Sequence, residues 1–331
     1  MKNPELWTKE DLHHHLQSAL ELEFWTIPLY LTALYSIKDL DKLEQKEYPD
    51  AAKLIASVVA QEMLHLELVC NISNAFGFAP KFKTPVYNES KGIPFFHTTM
   101  HDLPEILKGY FVKPQALNKD SLKLFCTIEI PFPESEFNWE HERSYNSIAD
   151  VYAALKIGIV HLWDQYYVGD EKNLKQKESF REYHNTKGRS HGFSQIVNSK
   201  TSCLKAIEAI VEQGEGANSK LVHADYRPPK LEEGQPYDAG WFKGHLSHYK
   251  KFMIMLHHHH KLPPVYDEIP TANAITKQQA LGAAWKDFLK ELDFNFNSNG
   301  LELPPTYWEK MFHLKNAMIA VWKEGSCPKF N

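Results

Sequence analysis

The chain has 331 residues, of which 43% are hydrophobic and 24% charged, and its formal net charge is -5. This mildly acidic balance, without a basic run, gives no electrostatic reason to expect binding to nucleic acid or to an anionic membrane. The first residues lack the apolar core of a signal peptide, and no stretch approaches the roughly 18 apolar residues of a membrane span. Four widely spaced cysteines without a CxxC pair indicate neither a disulfide framework nor a thiolate zinc site, so we expect a reduced, cytoplasmic setting.

Two long helical patterns open the sequence. The first runs from about Lys9 to Asp39 and contains Pro28, which should kink the helix or end its first half. The second starts after Pro49 and ends near Gly77, a C-terminal signal. In both patterns the apolar residues recur at steps of three and four, which is the spacing of a helix that buries one face.

The helical pattern is interrupted by prolines from about residue 78 to residue 146. We interpret this segment as an ordered crossover wrapped on the domain, with a short helix around 103–112. Helical periodicity then returns in "SIADVYAALKIGIVHLWDQYY", "SCLKAIEAIVEQGEG" and "WFKGHLSHYKKFMIML", and two further amphipathic helices are predicted at roughly 276–292 and 306–323. Strand-like alternation is scarce, so the sequence predicts a mostly α-helical protein.

Polar residues interrupt the buried stripes of the first two helices. Glu62 and His65 share one face at i, i+3 spacing, and Glu23 occupies an inward position of the preceding helix. Because an ionised carboxylate is costly to bury alone, a metal cation would explain all three, and iron, manganese or zinc suit these ligands. Glu-x-x-His with a Glu from a neighbouring helix is used by carboxylate-bridged di-iron and di-manganese bundles. The alternative is a buried, hydrogen-bonded His–Glu pair without metal.

Several longer motifs resemble those of one protein family, and they occur in this order: "ALELEFWTIPLYLTALYSI" (19–37), "SVVAQEMLHLELVCNISNAFG" (57–77), "SIADVYAALKIGI" (147–159), "AIEAIVEQGEG" (206–216) and "SHYKKF" (247–252). Together they resemble the ferritin-like domain of the iminophenyl-pyruvate dimer synthase family, over roughly residues 10–255. That family includes the imine-coupling enzymes of violacein- and rebeccamycin-type pathways. The resemblance implies an all-α, ferritin-like four-helix bundle with a long crossover between its second and third helices and extra C-terminal helices.

The resemblance also implies a set of metal ligands. Asp150 stands where the family usually carries Glu, but it also forms an S-x-x-D helix start with Ser147 and could instead cap the helix. Glu212 matches the family, although its spacing places it on the polar side of its helix. His248 matches the family and lies on an apolar stripe. With the three residues already identified, the implied ligands are Glu23, Glu62, His65, Asp150, Glu212 and His248.

For the domain organisation, we expect residues 1–260 to form a metal-binding bundle that includes the crossover 78–146. Residues 261–331 are expected to form a helical C-terminal extension packed on the bundle.

For the function, the resemblance implies an iron-dependent oxidoreductase, and we assign no catalytic residue. It would be a non-haem, di-iron oxidase or oxygenase in specialised metabolism, with one or two iron ions, although manganese or zinc would accept the same ligands. Its partners would be oxygen or peroxide and a small organic substrate, such as an amino-acid-derived or aryl-pyruvate imine, with no nucleic acid and no membrane. Two alternatives stay open: a ferritin-like protein that handles metal or peroxide without an organic substrate, and a metal-free structural relative. A homo-oligomer is compatible with each of them.

Overall fold

The computed structural model describes residues 4–90, 92–94, 103–131, 145, 147–169, 174–180, 195–214 and 246–330. Over these ranges the chain forms eight α-helices and no β-strand beyond isolated bridges, which confirms the predicted all-α class. The helices are α1 (Lys9–Tyr35), α2 (Asp50–Ala75), α3 (Lys119–Ile128), α4 (Ile148–Tyr166), α5 (Lys200–Gly214), α6 (His248–His257), α7 (Ala274–Phe296) and α8 (Pro305–Lys323).

The first helix is continuous through its proline. It begins with a capping box, in which the Thr8 side chain accepts from the backbone N–H of Asp11 and Asp11 accepts in return. Pro28 does not end the helix, so that alternative of the prediction is wrong, because the residues on both sides of it are buried in the core. Tertiary packing here outweighs the lost backbone hydrogen bond.

Four long helices form the bundle, and two short ones lie against it. Helices α1 and α2 pack along each other, α4 packs on α1, and α5 packs on both α4 and α2. The shorter helices α3 and α6 pack together, and α6 also contacts α2 and α5. Each of these six helices contributes buried residues to the interior of the bundle.

The crossover contains a helix that the sequence analysis did not predict. The helix expected around 103–112 is only a 3-10 turn, Glu105–Leu107, because Pro104 precedes it and Gly109 follows it in the left-handed conformation (φ 75°). The regular helix of this segment is α3, which begins at a capping box on Asn118. Crossover residues 91, 95–102, 132–144 and 146 lie outside the described residues, as do residues 241–245 of the helix predicted around His248.

Helices α7 and α8 are present where the sequence predicts two C-terminal helices. They pair with each other, and α8 packs on α1. The indole Nε1–H of Trp322 donates to the carbonyl oxygen of Thr32 at 3.1 Å, and the ring of Trp285 stacks on Phe24 with centroids 5.5 Å apart. Buried aromatic contacts therefore join these helices to the first helix of the bundle.

One helix in the described part of the chain, α2, is long and apolar enough to cross a membrane. However, 78% of its most apolar window is buried inside the fold. Such burial is typical of the core helix of a soluble protein.

Candidate metal centre

The first half of the site comes from the α1–α2 pair. Glu62 and His65 lie one turn apart on α2 and face Glu23 of α1. The Nδ1 atom of His65 is 3.3 Å from Oε2 of Glu23 and 4.0 Å from Oε1 of Glu62, and each of the three side chains is only 2% exposed. The structure therefore brings together, inside the bundle, the three residues that helical spacing places inward.

The second half comes from α3 and α6. His248 is the first residue of α6, which Ser247 caps, and Glu129 directly follows the last residue of α3. The Nδ1 atom of His248 is 2.8 Å from Oε1 of Glu62 and 3.4 Å from Oε1 of Glu129. Two carboxylate–histidine pairs, Glu23 with His65 and Glu129 with His248, thus flank the same carboxylate, Glu62.

The two histidines are close enough to serve one metal centre. Their rings stack with centroids 5.3 Å apart. Among the described residues, Glu62, His65 and His248 offer ligand atoms that all lie within 4.8 Å of one another, and all three are buried. Carboxylate oxygen and imidazole nitrogen are suitable ligands for iron, manganese and zinc.

Each of the three carboxylates accepts a hydrogen bond from a neutral hydroxyl group. These bonds use one oxygen of each carboxylate, which restricts its rotation. The remaining oxygens of Glu23 and Glu62 are the ones that face the histidines. The donors and acceptors are Tyr152 to Glu23 (2.6 Å), Thr26 to Glu62 (2.8 Å) and Tyr30 to Glu129 (2.6 Å).

The orientation of His65 is set by a buried amide on α5. The Nε2 atom of His65 lies 2.9 Å from Oε1 of Gln213. Since an amide oxygen can only accept, this contact requires a proton on Nε2. In the neutral ring, Nδ1, which faces Glu23 and Glu62, is then free to bind a cation. This is the tautomer that a metal-ligating histidine requires.

Several buried polar atoms of the centre have no hydrogen-bond partner in the described part of the chain. They are Nε2 of His248, Oε2 of Glu129 and Nε2 of Gln213. Nδ1 of His248 also lacks a well-aligned hydrogen bond, although it lies 2.8 Å from Oε1 of Glu62. Unpaired polar atoms are costly to bury, and a cation between the lone pairs of His248, Glu62 and Glu129 would compensate for that cost. The residues present therefore fit a metal ion.

Burial and mutual repulsion shift the proton affinities of the cluster. Burial raises the pKa of Glu62 well above its usual range, and the charges of Glu129 and Glu23 raise it further. Burial lowers the pKa of His248, against the opposing effect of Glu129. Burial also lowers the pKa of Lys251, one turn along α6, to about 8, although Glu129 and Glu62 oppose this shift. A carboxylate cluster that retains protons must release them when a metal binds, so metal affinity should increase with pH.

Asp150 and Glu212 stay predictions as ligands, and neither belongs to the close group of Glu62, His65 and His248. Asp150 is buried in the first turn of α4, where its backbone N–H donates to Oγ of Ser147 at 3.3 Å. Burial raises the pKa of Tyr145, and the charge of Asp150 raises it further. Glu212 is exposed on α5, and its neighbour Gln213 takes the inward position.

The sequence analysis missed Glu129 and Gln213. A signal for Glu129 was available, because Leu122, Cys126 and Glu129 follow one another at steps of four and three residues, as do the inward residues of α2. All three are buried. The prolines of the crossover obscured this short stripe.

The fold and the centre together define a helical bundle with a buried carboxylate–histidine cluster, which is compatible with a di-iron protein. A family model described as ferritin-like matches residues 16–257, most of the chain, and the protein belongs to this ferritin-like family. It is also similar to a ferritin-like protein from Caulobacter vibrioides whose crystal structure is known, with 27% identity and a TM-score of 0.72 over 98% of this chain and 99% of that chain. A comparison with curated proteins finds no match.

Proposed function

We propose that this protein is a non-haem di-iron oxidoreductase whose iron would be held by Glu62 and by the residues on both sides of it. The observation that carries the proposal is the pairing of carboxylates and histidines on both sides of that residue. Glu23, Glu62 and His65 would hold one ion, and Glu62, Glu129 and His248 would hold the other. When bound, iron would supply redox chemistry with oxygen or peroxide.

The surrounding side chains would prepare these ligands. Tyr30 and Tyr152 keep their protons, because burial raises the pKa of both phenols well above the usual range and the neighbouring glutamates add to the shift. They therefore remain hydrogen-bond donors to the carboxylates. Gln213 fixes the tautomer of His65. Burial of the whole cluster excludes bulk water from the ligands, which strengthens every charge interaction there.

The substrate class is proposed from the resemblance to the iminophenyl-pyruvate dimer synthase family. It is a small organic molecule of specialised metabolism, such as an amino-acid-derived or aryl-pyruvate imine, oxidised with oxygen or peroxide. We further propose a cytoplasmic protein without nucleic-acid or membrane partners, and a homo-oligomer is compatible with this proposal. The cysteines support a reducing compartment, since Cys70, Cys126, Cys203 and Cys327 are all free.

The first test is iron content by elemental analysis after anaerobic loading of tag-free protein. The Glu62→Ala/His65→Ala variant should lose the one to two equivalents of iron expected for the wild type. A matched control is Glu309→Ala/His313→Ala, which removes the same two residue types from exposed positions of α8. This control should keep the wild-type iron content.

Oxygen consumption then separates the functions. An iron-loaded wild type that consumes oxygen with an aryl-pyruvate or amino-acid-derived imine, while the Glu62→Ala/His65→Ala variant does not, supports the oxidoreductase. Iron binding with peroxide turnover but no organic substrate would instead indicate metal or peroxide handling. Equal, sub-stoichiometric metal in wild type and variant would contradict the proposal and indicate a metal-free structural relative.

A further inference from the structure

A second concave site lies between the crossover and the C-terminal segment. It is a groove of about 680 Å³, which lies within the roughly 300–1,000 Å³ of small-molecule sites. Its walls are formed by residues 84–87, residues 113–115 with Asn118, and residues 327–330, together with Glu268. None of the proposed metal ligands lines it, so it is separate from the metal centre.

The wall formed by residues 327–330 is fixed by several contacts. The Sγ atom of Cys327 donates to the carbonyl oxygen of Pro114 at 3.4 Å. The backbone N–H of Lys329 donates to Oε1 of Gln278 at 3.1 Å. The ring of Phe330 packs on Trp285 with centroids 4.9 Å apart. The groove is therefore held by specific contacts of the folded chain on this side.

A polar side chain in the groove lacks a partner. Gln115 is 9% exposed, and its Nε2 atom is buried without a hydrogen bond in the described part of the chain. A buried donor without a partner is unfavourable, because it has lost its hydration and gained nothing in return. Rotation of the amide toward the groove would present this donor to a ligand, and an acceptor oxygen on the ligand would then satisfy it.

The charges around the groove favour an anion. Lys113 and Lys329 line it together with a single acidic residue, Glu268. Burial raises the pKa of Cys327 to about 12, so the thiol is neutral and adds no negative charge. Tyr87 and Phe330 contribute aromatic surface, which suits a planar apolar group.

We propose that this groove binds a small aromatic carboxylate. One oxygen of the ligand accepts from the Gln115 amide, the carboxylate charge is balanced by Lys113 and Lys329, and the ring lies against Tyr87 and Phe330. The proposal does not depend on the metal centre or on the proposed redox function. A free inorganic anion would pair with the lysines and the amide but would not contact the aromatic surface. Titration with phosphate therefore distinguishes a general anion site from a site for an aromatic carboxylate.

The test is isothermal titration of the full chain with phenylacetate. Gln115→Leu, which keeps the size of the side chain but removes its hydrogen-bonding amide, should weaken binding by about tenfold or more. Lys113→Ala/Lys329→Ala should weaken it as well, and because both lysines are exposed this variant tests the proposal even if Gln115→Leu does not fold. Circular dichroism establishes that each variant is folded.

Two controls complete the test. Lys46→Ala/Lys277→Ala removes the same charge from exposed positions outside the groove and should leave binding unchanged. Glu62→Ala/His65→Ala should also bind phenylacetate as the wild type does, which separates the groove from the metal centre. The proposal is overturned if the wild type does not bind phenylacetate, if the lysine pair in the groove can be removed without effect, or if phosphate binds as tightly as phenylacetate.

Discussion

Replacing Glu129 by glutamine should separate the two halves of the metal centre. Glutamine has the same shape and still offers an oxygen to the hydroxyl of Tyr30, but it removes one negative charge and one anionic ligand. Glu23, Glu62 and His65 are untouched, so the first half of the centre should remain able to bind an ion.

The magnitude follows from the geometry. The Oε1 atoms of Glu62 and Glu129 lie 2.8 and 3.4 Å from the same nitrogen of His248, so they are at most about 6 Å apart. At an effective dielectric constant near 20, two full charges at this separation repel by roughly 3 kcal/mol. Protonation of Glu62, whose pKa is raised by burial and by Glu129, relieves part of this repulsion. The free energy of unfolding of metal-free Glu129→Gln should therefore rise at neutral pH by an amount on the order of 3 kcal/mol, less the part that protonation of Glu62 already relieves.

The assay combines urea denaturation of chelator-treated protein with iron titration. We expect higher stability of the metal-free variant, together with loss of the second iron equivalent. The affinity for that ion should fall by more than the roughly 10–100-fold that loss of an outer partner costs. Glu212→Gln makes the same chemical change at an exposed position of α5 and should alter neither quantity. Two ions bound to Glu129→Gln with wild-type affinity would refute the reasoning, and loss of iron in Glu212→Gln would support Glu212 as a ligand.

Three further substitutions test other parts of the structure. Burial lowers the pKa of Lys251 from 10.5 to about 8, so the charge of Lys251 destabilises the folded state below pH 8. This cost disappears as the pH rises from about 8 to 10.5, the pKa of the lysine in the unfolded chain. Lys251→Met should therefore stabilise the metal-free protein by up to about 3 kcal/mol at pH 7 and have little effect near pH 10.5. A difference in urea denaturation that does not change with pH would contradict this account. Gln213→Leu should weaken iron binding about 10–100-fold in chelator competition, because His65 loses the partner that fixes its tautomer; unchanged affinity would show that the partner is not needed. Gly158→Ala places a methyl group 2.3 Å from the ring of Trp7 and should cost about 1–3 kcal/mol in thermal or urea unfolding, whereas unchanged stability would show that the ring can move aside.

The fold was predictable wherever a helix was long and buried one apolar face. The stripes of α1 and α2 contain enough turns for the period to be visible, and α2 is correctly placed after Pro49. The helix α3 was missed because it has only ten residues and lies between Pro114 and Pro131 in a segment rich in prolines. Local sequence signals weaken as an element shortens, and tertiary packing then decides whether a helix forms.

The site was predictable only where it depends on helical period. Glu62 and His65 stand out because they interrupt an apolar stripe, and the period also places Glu212 on the polar side of α5, where the structure has it. Helical period does not reveal the hydroxyl groups that donate to the carboxylates. Tyr30 and Tyr152 look like ordinary core aromatics in the sequence, and their contacts with Glu129 and Glu23 arise only when distant helices meet. Such pairings are properties of the tertiary structure.

The two halves of the centre differ in how far apart their residues lie along the chain. Glu23, Glu62 and His65 belong to neighbouring helices, whereas Glu129 and His248 are more than a hundred residues apart. An ion held by Glu62, Glu129 and His248 would therefore act as a long-range cross-link, which restricts the unfolded chain as a disulfide does. In the chain-entropy view, closing a loop of about 100 residues is worth on the order of 5 kcal/mol. The second ion would thus secure the docking of α3 and α6, and its removal should loosen these outer helices before the α1–α2 pair.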